Sequence, residues 1–175
     1  MALNFEIVRP ENTRVVESAR RLFVEYADSL NFSLCFQGFD SEIAQLPGEY
    51  VPPLGGLLLA HYDGALAGCV ALRKIDDEIC EMKRLYLRPE FRGKGIGRKM
   101  AIEVIKMAQE IGYAKMRLDT APAMKEAIAL YHSLGFVEIG PYRENPIPGA
   151  IFMELTLTRT LRDNKMTKTD TIEPL

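Results

Sequence analysis

The residue pattern predicts one α/β domain built on a mixed sheet of about seven strands, with about four helices. Three observations carry that expectation. Three strand-like runs follow one another between Leu57 and Leu87, separated only by short acidic turns. After a glycine-rich turn at 92–97 the apolar spacing changes from alternating to helical. Beyond residue 112, strand-like and helix-like runs alternate, as crossover connections require.

Taken in order, Phe5–Val8 reads as the first strand, stopped by Pro10. Asn12 or Thr13 can cap the next helix, where Val16, Ala19, Leu22, Phe23 and Tyr26 fall at helical spacing. From Phe32 to Pro53 the pattern weakens, and a short helix inside a loop-rich segment is expected. Leu57–Tyr62 and Leu66–Ile75 flank Asp63-Gly64, a pair that favours the left-handed backbone of a two-residue hairpin turn. Ile79–Leu87 follows Asp76-Asp77 and completes an antiparallel meander. Met100, Val104, Met107, Ala108 and Ile111 mark one face of a helix that Gly112 ends. Met116 and Leu118 belong to a further strand, ended by Asp119-Thr120 and Pro122. Ala127, Leu130, Tyr131 and Leu134 form another helical stripe, stopped at Gly135. Phe136–Ile139 and Ile151–Leu157 close the sheet around the turn-rich loop Pro141–Pro146. Residues after Thr158 are polar and aperiodic, so the domain is expected over 1–158 and a polar tail over 159–175.

The chain has 175 residues, 47% hydrophobic and 26% charged, ordinary for a soluble domain with a sizeable core. A net charge of −2 argues against a nucleic-acid partner, which selects a broad basic face. Cys35, Cys69 and Cys80 are odd in number and hold no C-x-x-C pair, so reduced, buried thiols are expected. His61 and His132 offer no metal-ligand spacing, and no metal is expected. No apolar stretch approaches the roughly 20 residues that cross a bilayer. The first residues lack the charged and apolar regions of a signal peptide, so the cytoplasm is the expected compartment.

Chemistry concentrates at Arg92-Gly93-Lys94-Gly95-Ile96-Gly97, just before the long helix. Glycines there let backbone N–H groups converge without Cβ interference. At a helix N-terminus such donors favour an anion. Arg92, Lys94, Arg98 and Lys99 add positive charge with no acid among them. The turn therefore reads as a phosphate cradle. A Walker A loop needs G-x-x-x-x-G-K-[ST], which the chain lacks. A Rossmann turn needs G-x-G-x-x-G, but Arg98 stands at the third glycine's place and Gly97 one place early. Asp119 does fall near the ribose-binding position, yet the turn lies mid-chain behind a meander rather than at the start of a βαβ unit.

Arg92-x-x-Gly95-x-Gly97 resembles the R/Q-x-x-G-x-G/A signature of the GNAT superfamily of N-acetyltransferases. Leu85-Tyr86-Leu87-Arg88-Pro89-Glu90-Phe91 is similar to that family's central strand and its exit. Ala129-Leu130-Tyr131-His132-Ser133-Leu134-Gly135-Phe136 resembles its A-x-x-L-Y-x-x-x-G-F segment, and the likeness runs roughly from Phe5 to Leu157. The resemblance implies central parallel strands that splay apart and a ternary-complex transfer from acetyl-CoA to a primary amine, with a small-molecule or amino-acid-like acceptor favoured. It implies cofactor contacts at Leu85, Tyr86, Leu87, Arg92, Gly93, Lys94, Gly95, Ile96, Gly97 and Arg98. It also implies Tyr131 as the acid that protonates the leaving thiolate, with Glu81 or Asp119 as base unless water relays the proton.

Each residue also has a plainer explanation. Leu85 and Leu87 suit a core strand, and a tyrosine on an apolar stripe, like Tyr131, is usually core. Glu81 lies four residues before Leu85 and shares its face if no bulge intervenes. Lys83 shares Glu81's face, which suggests a structural ion pair on the sheet surface. Many family members carry an asparagine where this chain has Met124, which cannot donate hydrogen bonds. The acceptor side is expected from 32–53 and the Tyr142–Pro146 loop, where Asp40, Glu42 and Glu49 suit a small cationic or amphipathic amine. A peptide N-terminus, a lysine side chain, a homodimeric assembly and a non-catalytic acyl-CoA-binding module all stay open.

Overall fold

One polar cap and several turn residues mark element boundaries in the computed structural model, which describes residues 1–158. Strand β1 (Leu3–Ile7) begins two residues earlier than its apolar pattern suggests. Helix α1 (Thr13–Ser29) starts at Asn12, whose side chain accepts a hydrogen bond from the Val15 N–H at 3.3 Å. It buries Val16, Ala19, Leu22 and Phe23, the expected stripe. The weak segment holds a 3-10 turn (Cys35–Gln37) and a short helix α2 (Phe39–Gln45).

Strands β2 (Gly56–Tyr62), β3 (Ala65–Lys74) and β4 (Ile79–Leu87) form the meander. Asp63 and Gly64 take φ of 49° and 82°, the left-handed pair that a tight hairpin needs. Helix α3 (Ile96–Ile111) ends on Gly112 at φ 107°. Strand β5 (Lys115–Thr120), helix α4 (Lys125–Ser133) and strands β6 (Val137–Ile139) and β7 (Ile151–Thr156) follow. The sheet runs β1-β2-β3-β4-β5-β7-β6, with β4 and β5 its parallel pair.

One face of the sheet packs against α3 and α4 around Val70, Met82, Met100, Val104 and Met116. The other packs against α1 around Leu22, Phe23, Leu57, Leu59 and Tyr86. Cys69 and Cys80 are buried as expected, but Cys35 is exposed, because it opens the 3-10 turn in the polar, loop-rich segment. All three thiols are free. Among the described residues, no helix is long and apolar enough to cross a membrane, and no group of three or more His, Cys, Asp or Glu is placed to hold a metal. The expected polar tail lies outside the described residues.

Candidate active site

Two irregularities of β4 build the site. The first is a bulge. The register with β3 steps from Ala71↔Lys83 to Cys69↔Tyr86, so Arg84 and Leu85 together oppose Val70. Arg84 takes φ 56°, a left-handed conformation that costs a non-glycine residue about 1–2 kcal/mol. Glu42 holds it there, accepting from Arg84 Nε at 3.2 Å and from its terminal nitrogen at 2.7 Å, while Phe39 and Tyr26 sit against the guanidinium. The bulge inverts the alternation. Glu81 and Lys83 face the α1 side, whereas Leu85 and Leu87 pack on the α3 side. Glu81 and Leu85 therefore do not share a face, contrary to the unbroken strand period.

The second irregularity is a splay. The parallel ladder between β4 and β5 holds only Ile79↔Lys115, Cys80↔Met116 and Glu81↔Arg117. Beyond Glu81 the strands part. The Arg88 N–H donates to Ala67 O at 2.9 Å, so Arg88 and Tyr86 turn their main chain toward β3. By alternation Leu85 and Leu87 turn theirs into the opening. The Leu87 carbonyl there accepts from Arg92 Nε at 2.9 Å. Gly68 lets β3 approach this part of β4, since a Cβ on it would stand 2.2 Å from the Tyr86 carbonyl oxygen.

A groove of about 820 Å³ runs from the splay to the start of α3, between the end of α1 and α4. Leu85, Tyr86, Leu87, Arg92, Gly93, Gly95, Ile96 and Gly97 all line it, so eight of the ten sequence-picked binding residues converge. Lys94 and Arg98 lie outside its lining. The Lys94 ammonium sits 5.1 Å from the Tyr62 ring centre, and Arg98 donates to Ser133 Oγ at 2.7 Å. Unlike α1, helix α3 has no side-chain cap, and its first turn holds no acid. Its leading N–H groups thus lack a side-chain acceptor. Gly93 and Gly95 take φ of 76° and 73°, and a Cβ on Gly93, Gly95 or Gly97 would meet nothing within 4 Å.

A small cavity of about 40 Å³ occupies the splay, bordered by Tyr26, Leu85, Asp119, Met124 and Tyr131 among others. Tyr131 is 7% exposed and its ring leans on Phe136. Burial pushes its phenol well above the ordinary tyrosine value, with Tyr26 and Asp119 adding to the rise. Beyond the splay, a polar cavity of about 290 Å³ opens under α2, lined by Gln37, Glu42, Tyr50, Arg73, Lys83 and Arg84 among others.

Glu81 touches neither cavity's lining and has no exposed side-chain surface. Its carboxylate accepts from Arg73 Nε at 2.9 Å and from the Tyr142 hydroxyl at 2.7 Å, and pairs with Arg143 at 2.5 Å. The expected Glu81–Lys83 pair exists at 3.7 Å but is buried, not on the surface. Asp119 accepts from Arg143 at 3.1 and 2.6 Å and from Asn145 at 3.0 Å. Sequence reasoning missed Arg73, Arg84, Arg143 and Tyr26. The turn-rich 141–146 loop, the Glu81–Lys83 pair and the acids Glu42 and Glu49 pointed toward this network without revealing these four.

A groove that ends at a bare helix N-terminus and opens between parting strands is what the resemblance to an acyltransferase family implies. Residues 17–136 match the description "Acetyltransferase (GNAT) family". An uncharacterized N-acetyltransferase of Schizosaccharomyces pombe is 38% identical over 82% of this chain and 90% of its own. The chain belongs to the GNAT family of acetyltransferases. A Streptococcus agalactiae acetyltransferase shares the fold with a TM-score of 0.72 at 20% identity, covering 89% of this chain and 98% of that one. A Salmonella typhimurium acetyltransferase, solved with its cofactor acetyl-CoA, shares it with a TM-score of 0.60 at 21% identity, covering 92% and 97%.

Proposed function

We propose that the chain moves the acetyl group of acetyl-CoA directly to a primary amine, with both substrates bound at once. One observation carries this reading. The three cavities adjoin one another at the splay, the groove and the splay sharing Tyr26, Leu85 and Met124, the splay and the polar cavity sharing Gln37, Lys83 and Arg84. A donor from one side and an acceptor from the other would meet at the splay in line. A covalent enzyme intermediate is unnecessary. Cys69 and Cys80 line none of the three cavities, and burial pushes the Cys80 thiol up to about 12.

The groove fits the donor: its glycines leave open space where a Cβ would stand, and the Salmonella neighbour carries acetyl-CoA. When bound, that donor supplies a thioester already activated toward an amine. The first-turn N–H groups of α3 would hold its diphosphate, with Arg92 beside them. The Leu85 and Leu87 N–H groups would hydrogen-bond the pantetheine arm and polarise the carbonyl oxygen. Tyr131 would give its proton to the departing sulfur. A buried phenol stays protonated until that moment, because burial opposes its ionisation. The amine's proton would leave through the polar side. Asp119 borders the splay, whereas Glu81 is sealed beneath its cations, so Asp119 or water is favoured over Glu81. The three free thiols keep the cytoplasm as our assigned compartment.

Calorimetry with coenzyme A, followed by thiol release from acetyl-CoA across a panel of primary amines, tests the reading. Binding with amine-dependent release is expected. Binding without release for any amine would point to a non-catalytic acyl-CoA module, and absence of heat would end the proposal.

A further inference from the structure

The polar cavity carries a charge pattern that transfer itself does not use. Its lining holds Arg73, Lys83 and Arg84 against Glu42 and Glu49. Two of the cations are matched. Arg84 is engaged by Glu42, and Arg73 pairs with Glu81 at 2.9 Å and Glu49 at 3.3 Å. Glu49 is itself 71% exposed, where solvent screens it.

Lys83 differs. Its side chain is 6% exposed, and the acceptor within hydrogen-bond distance of Nζ is the neutral Gln37 Oε1 at 3.0 Å. The Glu81 carboxylate stands 3.7 Å away and already serves Arg73, Arg143 and Tyr142. An ammonium has three donors, and a buried one with a single neutral acceptor is incompletely satisfied. Lys83 lines both the polar cavity and the splay, so its spare donors adjoin the space an acceptor would fill.

We infer that the acceptor is an amine that also carries a carboxylate, a short amino acid whose carboxylate is bound by Lys83. The inference rests on the proposed transfer and names the substrate class of its acceptor side. It narrows the expected small-molecule or amino-acid-like acceptor and sets aside the cationic alternative that the acids at 40–49 suit, because Glu42 is consumed by Arg84 and Asp40 is exposed. A charge-assisted hydrogen bond completes the ammonium's shell. Gln37 accepts from Lys83 through Oε1, which leaves its Nε2 to donate to the same carboxylate. The amine of a short amino acid then stands beside Lys83 at the splay. A neighbouring positive charge favours its neutral form, which is the nucleophile. A simple diamine would bring a second positive charge toward the same ammonium, which repels it.

The test measures thiol release with short L-amino acids, their amides and their decarboxylated amines, for wild type, Lys83→Gln and Lys83→Arg. Wild type is expected to favour the acids in kcat/KM by about tenfold or more. Lys83→Gln should collapse that ratio toward one through the acceptor KM, with coenzyme A affinity held, and Lys83→Arg should restore part of it. Equal use of amides and acids by wild type, or a preference that survives Lys83→Gln, would overturn the inference. If no acceptor releases thiol, the transfer reading fails by itself. Calorimetry on the coenzyme A-saturated protein then decides the inference: acids that bind above their amides uphold it, and equal or absent heats sink it.

Discussion

Glu81→Gln tests how the acidic centre of the sheet is held. The amide keeps the carboxylate's shape, so no cavity opens. It removes a fully buried charge that meets Arg73 at 2.9 Å, Arg143 at 2.5 Å and Lys83 at 3.7 Å. It also sets an amide N–H₂ against a site whose neighbours, including Tyr142 at 2.7 Å, are donors. Removing one partner of a buried ion pair costs about 3–5 kcal/mol. Arg143 keeps Asp119 and Arg73 keeps Glu49, so the lower end applies, about 3 kcal/mol. For a chain of this length that is a fall in Tm of roughly 6–12 °C. Scanning calorimetry at neutral pH reads it, with Glu49→Gln as the control. Glu49's exposed contact should be worth about 0–1 kcal/mol. Equal shifts for the two variants would refute the idea that burial sets the cost.

Three further outcomes follow from the same geometry. Tyr131→Phe should lower kcat by about 100-fold while leaving stability and coenzyme A affinity nearly unchanged, and rates equal to wild type would remove Tyr131 from the chemistry. Gly97→Leu should fold, because its backbone is helical and a Cβ there meets nothing within 4 Å, yet weaken coenzyme A binding by about tenfold or more. Unchanged affinity in calorimetry would move the diphosphate elsewhere. For Lys83, burial pushes the ammonium down from 10.5 to about 8, against the pull of Glu81. Between those values the unfolded chain binds more protons than the folded one, so stability should rise with pH. Urea titrations should show the difference between wild type and Lys83→Met rising in favour of wild type from pH about 8 to about 10.5, and a flat difference would contradict the shift.

Periodicity and turn chemistry made the scaffold legible. The stripe Val16, Ala19, Leu22, Phe23 and the pair Asp63-Gly64 act locally, so their effect is visible in neighbouring residues. The glycine turn was equally legible, since its donors and its helix adjoin in the chain. The bulge was not. A left-handed arginine carries no local signature, and Arg84 is held there by Glu42, 42 residues away. Glu81's partners are likewise scattered over Arg73 and the Tyr142–Arg143 loop, so its neutralisation emerges only when β3, β4 and that loop meet. Cys35 was misjudged because cysteine type predicts burial on average, while its polar segment decides the individual case.

The extra residue at Arg84 acts as a phase shift within one strand. Before it, Glu81 and Lys83 are presented to one half of the molecule. After it, the odd-numbered Leu85 and Leu87 are presented to the other. Straightening the strand there with every residue kept would send the leucine amides back into the ladder with β3 and aim Tyr86 at α3. The two ends of the strand can therefore diversify independently: a change at Lys83 alters the lining of the polar cavity without moving the leucine amides on the groove side.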